Sequence, residues 1–340
     1  MVVSCFGKLP ISPEFIRVNA GGEALAAMDS WIQEGIVRVR SSLGANWVHR
    51  FLNGKSWEFI FASPGQKEFL VGVFMPSQDR ARRTFPLLIF LRIDKEEWPY
   101  PIVWTRLVFQ EFLKTAKQLG QCPGEKDGVS VGMFKEQVHA LGIPDGAKIR
   151  GFLETYEAFL GSGYIECSGR GAVRNSKLES GVYVRDQMKA EATKLQEKQK
   201  GSGCTDIRFP VDCQERWLPF AQTFWMEWVW RSIHASMDNM SYFWSMGQVH
   251  DRGEVVVMRH PLSSISFRNL IESPSQGGDW FSIVHGEAGS ETNHDEAPTL
   301  MNAVEQRQYH DRLSLAVLLD RPSDSHPGGQ TQRRVGARVC

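Results

Sequence analysis

The alternation of apolar and polar positions predicts a sheet with helices in the N-terminal part of the chain. Three apolar runs of strand length span residues 56–63, 68–76 and 85–93, with the polar connection 77–84 before the last. Short connections between runs rich in β-branched and aromatic residues predict strands that pair antiparallel in a meander. A further short strand is predicted at residues 2–6.

Helical spacing precedes and follows this meander. Between residues 23 and 43 apolar side chains recur every three or four positions, which predicts an amphipathic helix packed on one face of the sheet. The residues expected on that face are Leu25, Met28, Ile32 and Ile36. Residues 102–119 show the same spacing. The order β-α-β-β-β-α predicts an α/β protein of the α+β type, in which helices flank one antiparallel sheet.

A turn-rich segment near residue 122 is the predicted domain boundary. Residues 1–122 form the predicted N-terminal domain, and residues 123–284 a smaller C-terminal α/β subdomain with a variable charged insertion at about 161–206. The polar residues 285–340 are predicted to be a mostly disordered tail. Helices are expected in the subdomain near 132–141, 147–160, 220–237 and 266–272, and strands at 207–211, 240–246 and 254–259.

Charge and cysteine content narrow the class of function. Lys+Arg and Asp+Glu both total 39, so the formal net charge is zero, and the basic excess typical of nucleic-acid binders is missing. The six cysteines form no CxxC pair, which favours a reducing compartment. The N-terminal apolar run is short for an export signal, and no stretch approaches the ~20 apolar residues of a membrane span. These features predict a cytoplasmic protein without membrane insertion.

The sequence offers one catalytic pattern. Gly128, Ser130 and Gly132 match the spacing of a nucleophile elbow, in which a strand and a sharp turn lift the serine hydroxyl above a sheet. A polar turn precedes Gly128, so a serine hydrolase using Ser130 remains only an alternative, beside a small-ligand sensor built on the antiparallel sheet. His250, Asp251 and His260 are candidate metal ligands, but they straddle a predicted hairpin, where such side chains usually face solvent. No catalytic residue, metal ligand or cofactor is predicted.

The connection 77–84 is the most informative polar cluster. It contains Asp79, Arg80 and Arg83, and arginine forks bind carboxylates or phosphates through two parallel hydrogen bonds. The alternative is a hydrated loop in which Asp79 caps its own turn. We predict that Arg80 and Arg83 contact a protein partner and that Asp79 holds the loop by accepting backbone hydrogen bonds.

Two stretches carry a resemblance to a known family. Residues 5–10 (CFGKLP), followed by residues 14–17, resemble the opening of the TagF family of type VI secretion accessory proteins. Residues 72–87 (GVFMPSQDRARRTFPL) resemble its most specific signature. Pro13-Glu14 stands where the family has Gly-Asp, and Arg82 where it has a glycine, whose backbone freedom arginine lacks.

The resemblance implies a non-enzymatic cytoplasmic regulator that represses assembly of the type VI secretion system after translation. Its implied partner is a forkhead-associated-domain protein or another component of that system. The aromatic run Tyr242-Phe243-Trp244 is similar to the C-terminal region of the family. The residues predicted to bind protein are therefore Asp79, Arg80, Arg83 and Trp244.

Overall fold

A computed structural model gives the structure of the protein. It describes residues 1–121, 129–161, 192–193, 196–197, 206–211, 217–233, 236, 239–245, 253–272 and 280–282. The strands are β1 (Val2–Gly7), β2 (Ile16–Val18), β3 (Trp57–Phe61), β4 (Glu68–Met75), β5 (Leu87–Asp94), β6 (Asp206–Val211), β7 (Met240–Ser245), β8 (Gly253–Arg259) and β9 (Trp280–Ser282).

The described α-helices lie between these strands along the chain. They are α1 (Glu23–Leu43), α2 (Trp47–Leu52), α3 (Thr105–Val108), α4 (Gln110–Gln121), α5 (Val131–His139), α6 (Gly146–Gly161), α7 (Leu218–Ser232) and α8 (Ser264–Ile271). Short 3₁₀ helices at Gly44–Asn46 and Ile102–Trp104 precede α2 and α3. The helical spacing over 102–119 thus corresponds to three consecutive helical pieces instead of one helix.

The nine strands form one sheet in the order β2-β1-β5-β4-β3-β7-β8-β6-β9. Neighbouring strands are antiparallel, except that β6 and β9 are parallel. The predicted meander of β3, β4 and β5 is confirmed, with Gly72 opposite Phe59 on one side and Phe90 on the other. The predicted α+β fold class is confirmed, since helices flank a sheet whose described strands are antiparallel up to its last pair.

Each face of the sheet carries its own apolar core. Along β4, Phe69, Val71 and Val73 pack in the core shared with α3–α7, whereas Leu70 and Phe74 pack in the core shared with α1 and α8. This alternation follows from the two-residue period of a strand. On α1 the predicted face is confirmed: Leu25, Met28, Ile32 and Ile36 are all buried in the second core.

The sheet runs without interruption from the N-terminal to the C-terminal part of the chain. β3 pairs with β7, placing Phe59 opposite Phe243, so strands from both sides of the predicted boundary near residue 122 are direct neighbours. The boundary segment 122–128, most of the predicted insertion at 161–206 and the predicted tail at 285–340 lie outside the described residues. The division into domains therefore stays a prediction.

The contact between α1 and α8 depends on a glycine. A Cβ atom added to Gly35 of α1 would lie 2.2 Å from Cγ of Phe267 on α8, far inside van der Waals contact. At Gly151 in α6 an added Cβ would have no neighbour within 4 Å. The two helices therefore provide a matched pair of glycines, one at a packed crossing and one in the open.

We expect Gly35→Ala to lower the free energy of unfolding by about 1–3 kcal/mol, because the new methyl group displaces the Phe267 ring. Gly151→Ala is the control and should raise stability by up to about 1 kcal/mol, because alanine favours the helix. Chemical denaturation of both variants measures these changes. Equal changes of one sign would show that α1 and α8 are not packed at this point.

Candidate protein-binding site

The carboxylate of Asp79 lies directly beneath the surface of the loop between β4 and β5, with a side chain that is 0% exposed. The Lys8 ammonium donates to Oδ2 of Asp79 at 2.5 Å, and only 6% of the Lys8 side chain is exposed. Arg83 donates to the same carboxylate twice, from its backbone N–H to Oδ1 and from Nε to Oδ2, each at 2.7 Å. Asp79 thus joins two cationic side chains, one buried and one outside.

The loop closes on itself around this carboxylate. The backbone N–H of Asp79 donates to the carbonyl of Arg83 at 3.0 Å, and that of Arg82 donates to the carbonyl of Asp79 at 2.9 Å. Gln78 and Thr84 form a single antiparallel bridge across its base. Arg82 has φ of 60°, in the left-handed region that glycine adopts most easily. The arginine at the position of the family glycine therefore keeps the backbone conformation that a glycine would supply.

Besides the Lys8–Asp79 contact, three hydrogen bonds to backbone carbonyls attach the loop to the segment that follows β1. Ser77 Oγ donates to the carbonyl of Lys8 at 2.8 Å, and the backbone N–H of Arg80 donates to the carbonyl of Ser12 at 3.0 Å. Nη2 of Arg83 donates to the carbonyl of Pro13. The two stretches that carry the family resemblance are therefore in contact with each other.

Three phenylalanines form the floor beside this loop. The rings of Phe6 and Phe15 are stacked with centroids 5.5 Å apart, and Phe85 meets both of them edge-on. The Lys8 ammonium lies 4.9 Å from the centroid of Phe15, and the Arg17 guanidinium lies 4.9 Å from that of Phe6, distances typical of cation–π contacts. Phe15 is 39% exposed. The site therefore presents an apolar side chain among cations.

The arginines of the loop are on the outside. Arg80, Arg82 and Arg83 are exposed, and 62% of the Arg83 side chain is accessible. The Asp79 and Pro13 contacts use part of the five N–H donors of the Arg83 guanidinium. We call Phe15, Arg17, Arg80, Arg82 and Arg83 together the arginine surface. Its chemistry suits anionic groups on a partner, because a guanidinium fork matches a carboxylate.

The pKa of Asp79 reflects the same contacts. Burial alone would raise it, but the hydrogen bonds from Lys8 and from the backbone and side chain of Arg83 outweigh burial and lower the pKa from 3.8 to about 2. Asp79 is therefore ionised throughout the neutral range. Through these contacts Asp79 joins the loop to the N-terminal segment, and its own side chain is covered. Its part in partner binding stays a prediction.

Trp244 requires a correction, because it is completely buried and cannot contact a partner in this structure. Its Nε1 donates to Oε2 of the buried Glu58 at 2.6 Å. Nη1 of Arg106 lies 3.6 Å from the same oxygen, and its guanidinium lies 5.3 Å from the Trp244 ring. The aromatic run that resembles the family thus belongs to the core between the sheet and its helices.

The other chemical candidates occupy structural positions or lie outside the described residues. Ser130 caps the start of α5, where its Oγ accepts the backbone N–H of Met133 at 3.1 Å, as serine does at many helix starts. His250 and Asp251 lie outside the described residues, whereas His260 is described. Among the described residues, no three or more His, Cys, Asp or Glu side chains are placed to hold a metal ion. No helix among them is long and apolar enough to cross a bilayer.

A groove of about 460 Å³ lies between α4 and α5. Its lining includes the apolar side chains of Leu119, Phe134 and Leu141. It lies within the helical layer and not on the sheet, where the sensor alternative would place a ligand. The sensor alternative therefore stays a prediction.

Sequence reasoning missed Lys8 and Phe15 as members of the site. Both lie within or beside the first of the two family-like stretches, at residues 5–17, and Asp79 lies in the second. A lysine in a turn sequence is ordinarily exposed, so composition gives no sign that this one is buried. The only available signal was that two specific stretches occur in one chain, which suggests contact between them.

We expect Lys8→Met to lower the free energy of unfolding by about 3 kcal/mol, because it leaves the buried Asp79 without its inner partner. Lys114→Met, at an exposed position of α4, is the control and should change stability by less than about 0.5 kcal/mol. Urea denaturation at neutral pH measures both. A loss at Lys8 no greater than at Lys114 would mean that the pair does not stabilise the fold.

The Asp79 contribution should also depend on pH. A carboxyl group whose pKa is 3.8 when unfolded and about 2 when folded stabilises the protein fully above pH 3.8 and loses that contribution as pH falls towards 2. We therefore expect Asp79→Asn to be less stable than the wild type at pH 7, with a difference that shrinks steadily below pH 4. Denaturation series at several pH values test this, and a difference independent of pH would contradict it.

Comparison with known proteins adds three findings. A family model described as the TagF N-terminal domain, type VI secretion system-associated, matches residues 4–140. Among solved structures, the chain is similar to PA0076 from Pseudomonas aeruginosa PAO1, with 17% identity over 87% of this chain and 100% of that chain and a TM-score of 0.46. No curated protein matches the chain.

The family match covers every residue of the Asp79 cluster. Lys8, Phe15, Asp79 and Arg83 all fall inside residues 4–140, which also include most of β1 and all of β2 to β5 and α1 to α5. The resemblance inferred from residues 5–17 and 72–87 is thereby confirmed. Residues 4–140 are thus similar to the N-terminal domain of the type VI secretion system-associated TagF proteins.

Proposed function

We propose that this protein is a cytoplasmic accessory factor of type VI secretion that represses assembly of the apparatus after translation by binding one of its components. The TagF N-terminal domain at residues 4–140 supports the link to that system. Repression, binding and location go beyond the family match. They rest on what the resemblance implies and on the geometry of the arginine surface, and the proposed mode of action involves no catalysis.

The observation that carries the proposal is the fixed position of Arg83. Its Nε is held at 2.7 Å by a carboxylate that is fully covered, while 62% of its side chain remains accessible. A free arginine loses about 2 kcal/mol of rotamer entropy when it is immobilised, and a side chain already held loses less. Arg83 is thus prepared for binding before any partner arrives.

The buried lysine makes this arrangement useful for binding. Lys8 neutralises Asp79 from the inner side, at 2.5 Å. A partner carboxylate that binds Arg83 therefore does not deprive Asp79 of its only cation. Arg83 can therefore hold Asp79 through Nε and bind a second anion through its exposed nitrogens. Interface residues that contribute most to affinity are often arginines of this kind.

Phe15 extends the surface beyond electrostatics. Phe15 is 39% exposed and lies beside the Lys8 ammonium, and the carbonyl of Pro13, two residues before it, accepts from Arg83. Apolar area at the centre and charges at the rim are the usual arrangement of a protein interface. The proposed partner is a forkhead-associated-domain protein or another secretion component, a choice that comes from the family resemblance.

The test uses Arg80→Ala and Arg83→Ala in the native host. We expect each to reduce co-purification of secretion components by roughly thirtyfold in affinity, equivalent to about 2 kcal/mol, and to release repression of secretion. Thermal unfolding should change little, because Lys8 and the backbone N–H of residue 83 still satisfy Asp79 in the Arg83→Ala variant. Mass spectrometry of the captured proteins identifies the partner.

Arg38→Ala, at an exposed position of α1, serves as the matched control and should leave both readouts unchanged. If capture and repression are the same in the Arg83→Ala variant as in the wild type, the arginine surface is not where this protein acts. If melting falls by many degrees in Arg83→Ala, the loop arginine is structural and the surface assignment fails as well.

A further inference from the structure

We infer that the outer face of α1 binds a second copy of this chain, through an antiparallel contact of the two α1 helices across a two-fold axis near Val37. The inference goes beyond the proposed function and does not depend on it. It is carried by an exposed apolar side chain that lines a groove, by the two opposite charges beside it, and by the small residues along the same face of the helix.

An apolar side chain interrupts the polar outer face of α1. Val37 is 68% exposed, more than any other large apolar side chain in the described part of the chain. It lines a groove of about 430 Å³ between α1 and α8, together with Glu34, Arg38, Ser41 and Ser264. A single exposed apolar residue is common on protein surfaces. The charges around it therefore decide whether this face selects a partner.

Two opposite charges lie on either side of Val37. Glu34 precedes it by three residues and Arg38 follows it directly, and both line the groove. Among the described residues, the side chains of Glu34 and Arg38 form neither an ion pair nor a hydrogen bond. The face is neutral, with its acid towards the N-terminal end of the helix and its base towards the C-terminal end. A complementary partner must present the same two charges in the reverse order.

A second copy of α1 meets this requirement when the two helices run antiparallel. A two-fold axis brings the same patch of both copies together. Because a helix rises ~1.5 Å per residue, an axis at Val37 places Glu34 about 4.5 Å from the axis and Arg38 of the other copy about 1.5 Å from it on the same side. The offset of about 3 Å along the helix is within the reach of an arginine side chain.

Other arrangements and other partners match these charges less well. In a parallel contact Glu34 would face Glu34 and Arg38 would face Arg38, and like charges repel. Nucleic acids and anionic membrane surfaces select a basic excess, which Glu34 cancels on this face. The antiparallel second copy supplies both complementary charges and a second Val37 to cover the first.

Small residues on the same face allow the two helices to approach each other. Ala26, Ser30 and Ser41 are exposed, and they follow the helical spacing of Glu34 and Val37. Helices with small side chains at their contact pack towards the short end of the usual 8–10 Å range of axis distances. The backbones of two α1 helices can therefore come close enough for Val37 of each copy to be covered.

The size of this face predicts a weak and reversible dimer. α1 has 21 residues, so it is about 31 Å long and about 10 Å wide. Its outer face thus offers roughly 300 Å², less than the ~800 Å² that each partner contributes to a standard interface. The dimer should therefore form at micromolar concentrations of protein or above.

The experiment is sedimentation equilibrium of the full chain over about 1 to 200 µM, the range of a weak contact. We expect the wild type to dimerise as its concentration rises. Glu34→Arg and Arg38→Glu should each weaken dimerisation roughly thirtyfold or more, because four like charges then surround the axis. Val37→Ala should weaken it about tenfold by removing apolar area from both copies.

Combining the two charge reversals tests the register of the contact. An equimolar mixture of the Glu34→Arg and Arg38→Glu variants should form a heterodimer, because both charges of one copy then meet opposite charges on the other. The double variant, which carries both reversals in one chain, should dimerise like the wild type. Fluorescein attached to one variant of the mixture allows its sedimentation to be followed separately.

Glu136→Arg, at an exposed position of α5, is the matched control and should leave dimerisation unchanged. All these charge variants should melt like the wild type, since the replaced side chains are exposed. A wild type that stays monomeric over the whole range overturns the inference. Dimerisation that neither single reversal weakens overturns it as well, and so does a mixture of the two variants that stays monomeric.

Arg83→Ala separates this contact from the arginine surface. Glu34, Val37 and Arg38 do not belong to that surface, so Arg83→Ala should leave dimerisation unchanged, and the charge reversals on α1 should leave capture of secretion components unchanged. Dimerisation that Arg83→Ala abolishes would assign the contact to the arginine surface and overturn the inference.

Discussion

The buried ion pair of Lys8 and Asp79 is the interaction on which this end of the molecule depends. Removing two charges from water is unfavourable, and the loss is recovered only when each charge has close partners of good geometry. Asp79 meets that condition with Lys8 at 2.5 Å and two donors of Arg83 at 2.7 Å. The loop after β4 and the segment after β1 are consequently fixed relative to each other. This also fixes the backbone positions from which the exposed arginines extend.

A second set of buried polar groups fixes the sheet against its helices. Glu58 on β3 accepts from Trp244 on β7 and lies beside Arg106 on α3, which donates to Gln222 on α7. Glu227, also on α7 and fully buried, accepts from Trp104, Tyr156 and Arg231. Unlike packed hydrocarbon, these directed bonds tolerate few alternative arrangements. The aromatic residues near the C-terminal part therefore define how the layers align, which explains why Trp244 serves the interior and not a partner.

The sequence predicted those parts of the fold in which a repeating pattern is long. The helix at 23–43 and the three strands of the meander agree with the structure because period and length both identify them. β2 has three residues and α2 has six, too few for any period to be recognised. The loop arginines were found from residue type, whereas the burial of Lys8 and Trp244 depends on contacts 71 and 186 residues away in the chain, to Asp79 and Glu58, which no local pattern encodes.

The pairing of β3 with β7 makes the two ends of the chain depend on each other for closure. All five residues of β3 are buried, and its backbone donors and acceptors on one side are satisfied by a strand about 180 positions later in the sequence. A fragment ending near residue 140 would leave this strand as an open, apolar edge, which is a template for aggregation. Ribosomal synthesis meets the same problem, because β3 emerges long before its neighbour. We therefore expect a shortened version that includes residues 4–140 to need β7, or a substitute for it, to cover the edge of β3.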